Sequence, residues 1–175
     1  MSIAKVNRLE PTLQALREFT HETVILGKRQ RDNIIYLEVL EGPQAVRYSA
    51  KAGDLKPLHS SCVGKTLLAS MTPDELRAWL AKHPPTKVTE NTITSYARLM
   101  DNLQEGKRLG YFTTRGENVP DVSALAVPLS INDELLGLAI AGPSHRIHAR
   151  FDQIKRELKE AQKRLLDQGI ARLQA

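Results

Sequence analysis

The chain has a single cysteine, Cys62, so no internal disulfide can form. The N-terminus has no apolar export segment, and no apolar run approaches a membrane span. A cytoplasmic protein with no membrane partner is therefore expected. Zinc-finger spacing and aromatic RNA-binding strand motifs are both missing, so no metal is expected. The formal charge of +5 is spread along the chain among 20 acidic residues, which reads as general surface charge rather than a nucleic-acid stripe. What remains is a composition of 41% hydrophobic and 26% charged residues over 175 positions, enough for one domain (1–175) with a real core.

The periodicities place the elements. Leu9, Leu13, Leu16 and Thr20 recur at helical spacing and predict a helix over about 10–21, with Pro11 near its start. Thr23–Leu26, Ile34–Leu40 and Gln44–Ala50 read as three strands whose short connections demand an antiparallel meander. Thr72-Pro73-Asp74-Glu75 is a helix start with a capping-box acid, and Pro84-Pro85 stops that helix. Thr94 or Ser95 caps another helix that Gly110 closes. Tyr111–Thr114, Val122–Leu129 and Leu135–Ala141 are three more strands, the last two joined by a hairpin around Asn132-Asp133. The continuous apolar character of this last pair implies cover on both faces. A final helix runs from Phe151 to about Gln168 with Ile154, Leu158, Ala161 and Leu165 as its stripe. Residues 1–8 are polar and read as a lead-in.

The most informative stretch is Lys56–Ala69. Pro57 ends what precedes it, Ser60 and Ser61 are good N-cap residues, and Leu67, Leu68 and Ala69 continue as helix. The first turn presents free N–H groups, a place for an anion, with His59 and Cys62 beside it. Three chemistries compete. Gly64-Lys65-Thr66 matches the end of a phosphate-binding loop, but that loop needs glycine where this chain has His59, and no buried strand leads directly in. Cys62 could be a nucleophile with His59 or Lys65 as its partner, or a packed small hydrophobe. A carboxylate held by backbone amides asks least of the side chains. A capped, buried turn with no ligand is the plain structural alternative.

Pro57-Leu58-His59-Ser60-Ser61-Cys62-Val63-Gly64-Lys65-Thr66-Leu67-Leu68-Ala69 resembles the P-x-H-A-x-A-x-G-K-A-x-L-A stretch of the effector-binding domain of IclR-type bacterial transcription regulators. Gly110-Tyr111 followed by Asp121–Leu129 resembles that family's G-Y…G-V-x-C-I-A-A-P-V signature, and Leu138–Pro143 its A-I-S-G-P. The resemblance runs from about Leu9 to Leu165. It implies an α+β fold of the GAF/PAS kind, a six-stranded antiparallel sheet flanked by helices on both sides. It also implies a homodimer or homotetramer, no cofactor, and DNA contact only through an N-terminal winged helix-turn-helix domain that these 175 residues leave no room for. The implied ligand is a small organic acid whose carboxylate meets the amides of Cys62 and Val63. Tyr48, Thr114, Val122, Ala124, Ala139 and Ala141 are further implied pocket positions, Ser61 could add a hydroxyl bond, and His59 could support the loop or touch the ligand. Several positions depart from the family: Thr114 where an acid is frequent, Ala124 for cysteine, Ala139 and Ala141 for serines, and Asp121 for glycine. These changes suggest a ligand body more apolar than a two- or three-carbon acid. The function expected is therefore ligand sensing that modulates DNA binding, not catalysis. A small Cys62–His59 enzyme and a purely structural dimerisation module are the alternatives.

Overall fold

The computed structural model describes residues 3–173, with the backbone alone at 3, 5 and 6. The chain runs α1 (Ile3–Thr20), β1 (Thr23–Gln30), β2 (Asn33–Leu40), β3 (Leu55–Pro57), α2 (Cys62–Leu68), α3 (Pro73–Lys82), α4 (Tyr96–Leu109), β4 (Phe112–Arg115), β5 (Val122–Ile131), β6 (Glu134–Pro143), α5 (Ser144–Ala149) and α6 (Phe151–Asp167). The six strands form one antiparallel sheet in the order β3-β2-β1-β6-β5-β4, with helices on both faces in a GAF-like α+β arrangement.

The alternation of β5 and β6 decides what each face can hold. Leu125, Val127, Leu138 and Ile140 point to one side and join Leu9, Leu13 and Leu16 of α1 and Ile154, Leu158 and Leu165 of α6 in one core. Ala124, Ala126, Ala139 and Ala141 point to the other side, where α2 packs. Large side chains therefore fill the α1/α6 side, and methyl groups line the α2 side. Gly137 lets α2 come close, because a Cβ there would stand 2.8 Å from Val63 Cγ1. The β5–β6 turn is Asn132-Asp133 with φ of 54° and 62°, the doubly left-handed geometry that suits a two-residue hairpin.

The helix ends follow the sequence closely. Thr72 and Glu75 form a full capping box, Ser95 caps α4, and Gly110 ends α4 with φ 78°. Three expectations need correction. Gln44–Ala50 is not a strand, and the third strand of the meander is Leu55–Pro57, paired with Asn33–Ile35. The backbone of 41–50 is instead held by side chains. Thr23 Oγ1 accepts from Gly42 N and donates to Tyr48 O, and Arg146 donates to Val46 O. The first helix starts at Ile3, so Pro11 lies inside it and residues 3–8 are helix rather than a lead-in. Interior proline costs about 3 kcal/mol; burial of Leu9, Leu13 and Leu16 in the α1/α6 core offsets this. Helix α5 has no counterpart in the sequence pattern, because only Ile147 of its six residues is buried and no apolar period marks it.

Candidate effector site

Ser61 closes the start of α2 in extended conformation (φ −98°, ψ 143°), and its Oγ accepts from Gly64 N at 2.9 Å while its carbonyl accepts from Lys65 N. These two bonds satisfy the third and fourth amides of the turn. The amides of Cys62 and Val63 have no acceptor among the described residues.

Both residues line a partly open cavity. Its envelope holds about 410 Å³ of non-atom space, part of it open to solvent, and the space between the side chains is tight. Ser61, Cys62 and Val63 line it from α2, Thr114 from β4, Val122 and Ala124 from β5, Ala139 and Ala141 from β6, and Tyr48 from the 41–50 segment. Ile25, Tyr36, Ser60, Asn118 and Val119 complete the lining. Sequence reasoning missed these five. The inward pattern of β1 and β2 could have supplied Ile25 and Tyr36, but nothing local marks Asn118 and Val119. Their loop reaches the cavity through Ser60, whose hydroxyl donates to Asn118 Oδ1 at 3.0 Å.

No charged side chain stands in the lining. The nearby lysine is committed elsewhere. Lys65 is fully buried, and its Nζ donates to Glu117 Oε1 at 2.7 Å and to Thr113 O at 3.0 Å. Glu117 Oε2 in turn accepts from Arg115 N. Lys65 thus anchors the 115–121 loop to α2; it is neither a phosphate ligand nor a partner for the thiol.

His59 lies outside the cavity lining. Its Nε2–H donates to Thr86 O at 2.8 Å, which splints the turn before α2 to the segment after α3. Burial holds its imidazole below the ordinary 6.5, against a smaller opposing effect of the Thr86 bond. The Cys62 thiol donates to Phe112 O at 3.0 Å, and burial pushes its pKa well above the usual thiol range. Sulfur and imidazole are each engaged with a backbone carbonyl rather than with one another. A protonated, buried thiol without a base in hydrogen-bond contact is a poor nucleophile. No group of three or more His, Cys, Asp or Glu with metal-binding geometry occurs among the described residues, and no described helix is long and apolar enough to cross a membrane.

Comparison with known proteins gives one answer at every level. Residues 1–165 match the model of the bacterial transcriptional regulator IclR C-terminal domain. The HTH-type transcriptional regulator BhcR of Paracoccus denitrificans is 29% identical over 163 residues, covering 91% of this chain and 58% of that protein. The HTH-type transcriptional regulator KdgR of Escherichia coli is 31% identical over 132 residues, covering 75% of this chain and 49% of its own length. The chain thus spans about half the length of these relatives. Among solved structures, the transcriptional regulator YaiJ superposes with a TM-score of 0.84 at 27% identity, covering 91% of this chain and 92% of that one. The C-terminal domain of E. coli KdgR superposes with a TM-score of 0.78 at 26% identity, covering 91% and 94%. A GAF-like sheet with a methyl-lined cavity at the start of α2, matched in sequence and in shape to these domains, places the chain in the IclR family of bacterial transcriptional regulators, as its C-terminal domain.

Proposed function

We propose that the 175 residues form one effector-binding unit that holds a small organic acid in this cavity and so modulates DNA binding. The contact with DNA belongs to a winged helix-turn-helix domain, attached or partnered. One observation carries the reading: an uncharged, methyl-lined cavity bordered by two residues whose backbone amides have no acceptors among the described residues. A carboxylate bonded to Cys62 N and Val63 N satisfies both donors, and the apolar walls strengthen these bonds by lowering the local dielectric. Ala139, Ala141, Ala124 and Val122 then surround the ligand body. Thr114 contributes a hydroxyl where an acid would repel the bound anion. The tight cavity suits a small acid, and a bulkier apolar body requires side chains to move apart.

The buried, protonated state of Cys62 argues against the enzyme reading, and a purely structural module would gain nothing from a ligand. A thermal-shift series with small monocarboxylates tests the proposal. An acid at 100 times its Kd adds about 2.7 kcal/mol to folded-state stability. For a chain of this size that raises Tm by roughly 5–11 °C. Ala139→Leu and Ala124→Phe fill the cavity at an overpacking cost of ~1–3 kcal/mol and abolish the shift. If both variants fold and respond to the same acid with unchanged affinity, the cavity is not the effector site. Self-association as a dimer or tetramer belongs to the same reading, since helix-turn-helix operators are read by two-fold pairs. Sedimentation that finds only monomer at tens of micromolar would contradict it.

A further inference from the structure

The cavity contains a hydrogen-bond imbalance that the carboxylate does not address. Tyr36 on β2 and Tyr48 on the 41–50 segment are 5% and 8% exposed, and both line the cavity. Their hydroxyls meet each other at 3.4 Å and have no other partner among the described residues. That separation is long for a hydroxyl pair, which prefers about 2.7–2.8 Å. Two hydroxyls carry two protons and share one contact, so whichever donates, the other's proton has no protein acceptor. Burial also keeps the Tyr36 phenol protonated by raising its pKa far above the usual tyrosine value. The pair is held in place. Thr23 Oγ1 donates to Tyr48 O at 2.6 Å, and Arg146, itself in a bidentate pair with buried Glu22, donates to Val46 O at 2.7 Å.

A fixed, buried donor without an acceptor favours any occupant that brings an oxygen to it, and penalises one that cannot. That oxygen is uncharged, because no cation in the lining offsets the desolvation of a second carboxylate. We propose that the Tyr36–Tyr48 hydroxyl pair is a second polar subsite. It selects a monocarboxylate that carries a hydroxyl or carbonyl oxygen over the corresponding deoxy acid and over a dicarboxylate. The inference rests on the cavity being the effector site.

The test uses propanoate, lactate, pyruvate, 3-hydroxypropanoate and malonate as probes. Calorimetric titration follows their binding to the wild-type chain and to Tyr36→Phe/Tyr48→Phe, with folding checked by near-UV circular dichroism. Expected for wild type is at least one oxygenated monocarboxylate bound about ten-fold or more tightly than propanoate, with malonate weaker than that acid. In the double variant, which has neither hydroxyl, the ratio to propanoate falls toward one, whereas each single variant would still hold one proton without an acceptor. Should the double variant fail to fold, the wild-type ratio of oxygenated acid to propanoate decides. Propanoate bound as tightly as every oxygenated acid by wild type overturns the subsite and leaves the effector site standing, as does a ratio unchanged in the folded double variant. If none of the five acids binds, the effector-site reading fails, and the subsite fails with it.

Discussion

The Lys65–Glu117 pair offers the sharpest test of how the cavity is held together. Lys65 sits in the middle of α2 with no exposure, and Glu117 lies 52 residues away in the loop that brings Asn118 and Val119 to the cavity. Replacing Lys65 with methionine keeps most of the volume of the side chain but leaves the Glu117 carboxylate buried without its cation. It also leaves Thr113 O without the donor it now has. Removing one partner of a buried pair costs about 3–5 kcal/mol. For a chain of this length that is a fall in Tm of roughly 6–20 °C. Lys65→Met/Glu117→Gln removes the stranded charge, and its neutral amide still offers an acceptor to Arg115 N. The double variant should therefore recover about half or more of the loss, because an uncompensated charge costs more than an unmade neutral bond. Urea unfolding of the wild type, both single variants and the double variant gives the coupling energy directly. A coupling below about 1 kcal/mol, typical of exposed pairs, would refute the argument that this bridge is dry and anchors the loop. A ligand shift lost in Lys65→Met and regained in the double variant would tie the loop to binding.

Three further outcomes follow from the same geometry. Cys62 should resist thiol reagents at pH 8 in the folded state and react only on unfolding, since burial keeps it protonated; rapid labelling of folded protein would show that this environment has been misread. His59 is depressed below 6.5 in the folded state, so its contribution to stability is present above the ordinary imidazole pKa and is lost as pH falls through the lower folded value. Urea titrations between pH 7.5 and 5 should show wild type losing stability on acidification more steeply than His59→Gln, and parallel curves would count against it. At Gly64 a Cβ would overlap the backbone of Leu58, which cannot rotate away. Gly64→Ala should accordingly cost about 1–3 kcal/mol or more, and a variant of wild-type stability would mean that the turn before α2 is looser than it looks.

Much of this architecture is written locally. The Thr72 capping box, the Ser95 cap, the left-handed Gly110 and the Asn132-Asp133 hairpin each rest on bonds within four residues, so sequence alone specifies them. The large-and-small alternation of β5 and β6 is also local, and it assigns Ala124, Ala139 and Ala141 to the same face before any partner is known. The start of α2 is legible for the same reason: Ser61 caps Gly64 from three residues away, leaving Cys62 N and Val63 N over.

Only the tertiary structure decided the rest, because the deciding bonds join distant residues. Residues 44–50 have strand-like composition, yet Thr23 and Arg146 occupy their backbone groups and the edge position passes to Leu55–Pro57. Pro11 reads as a helix start until α6 supplies the apolar surface that lets α1 continue through it. His59 reads as a site residue until Thr86, 27 positions on, takes its ring nitrogen. Tyr36 joins Tyr48 at the cavity only because β2 and the 41–50 segment are brought together by the sheet. Lys65 reads as a phosphate or thiol partner in a linear motif, and becomes a buried anchor only once Glu117 folds back onto α2. Chain-local hydrogen bonding and periodicity fix where elements begin, end and face; long-range desolvation and pairing determine which polar groups are left free to meet a ligand.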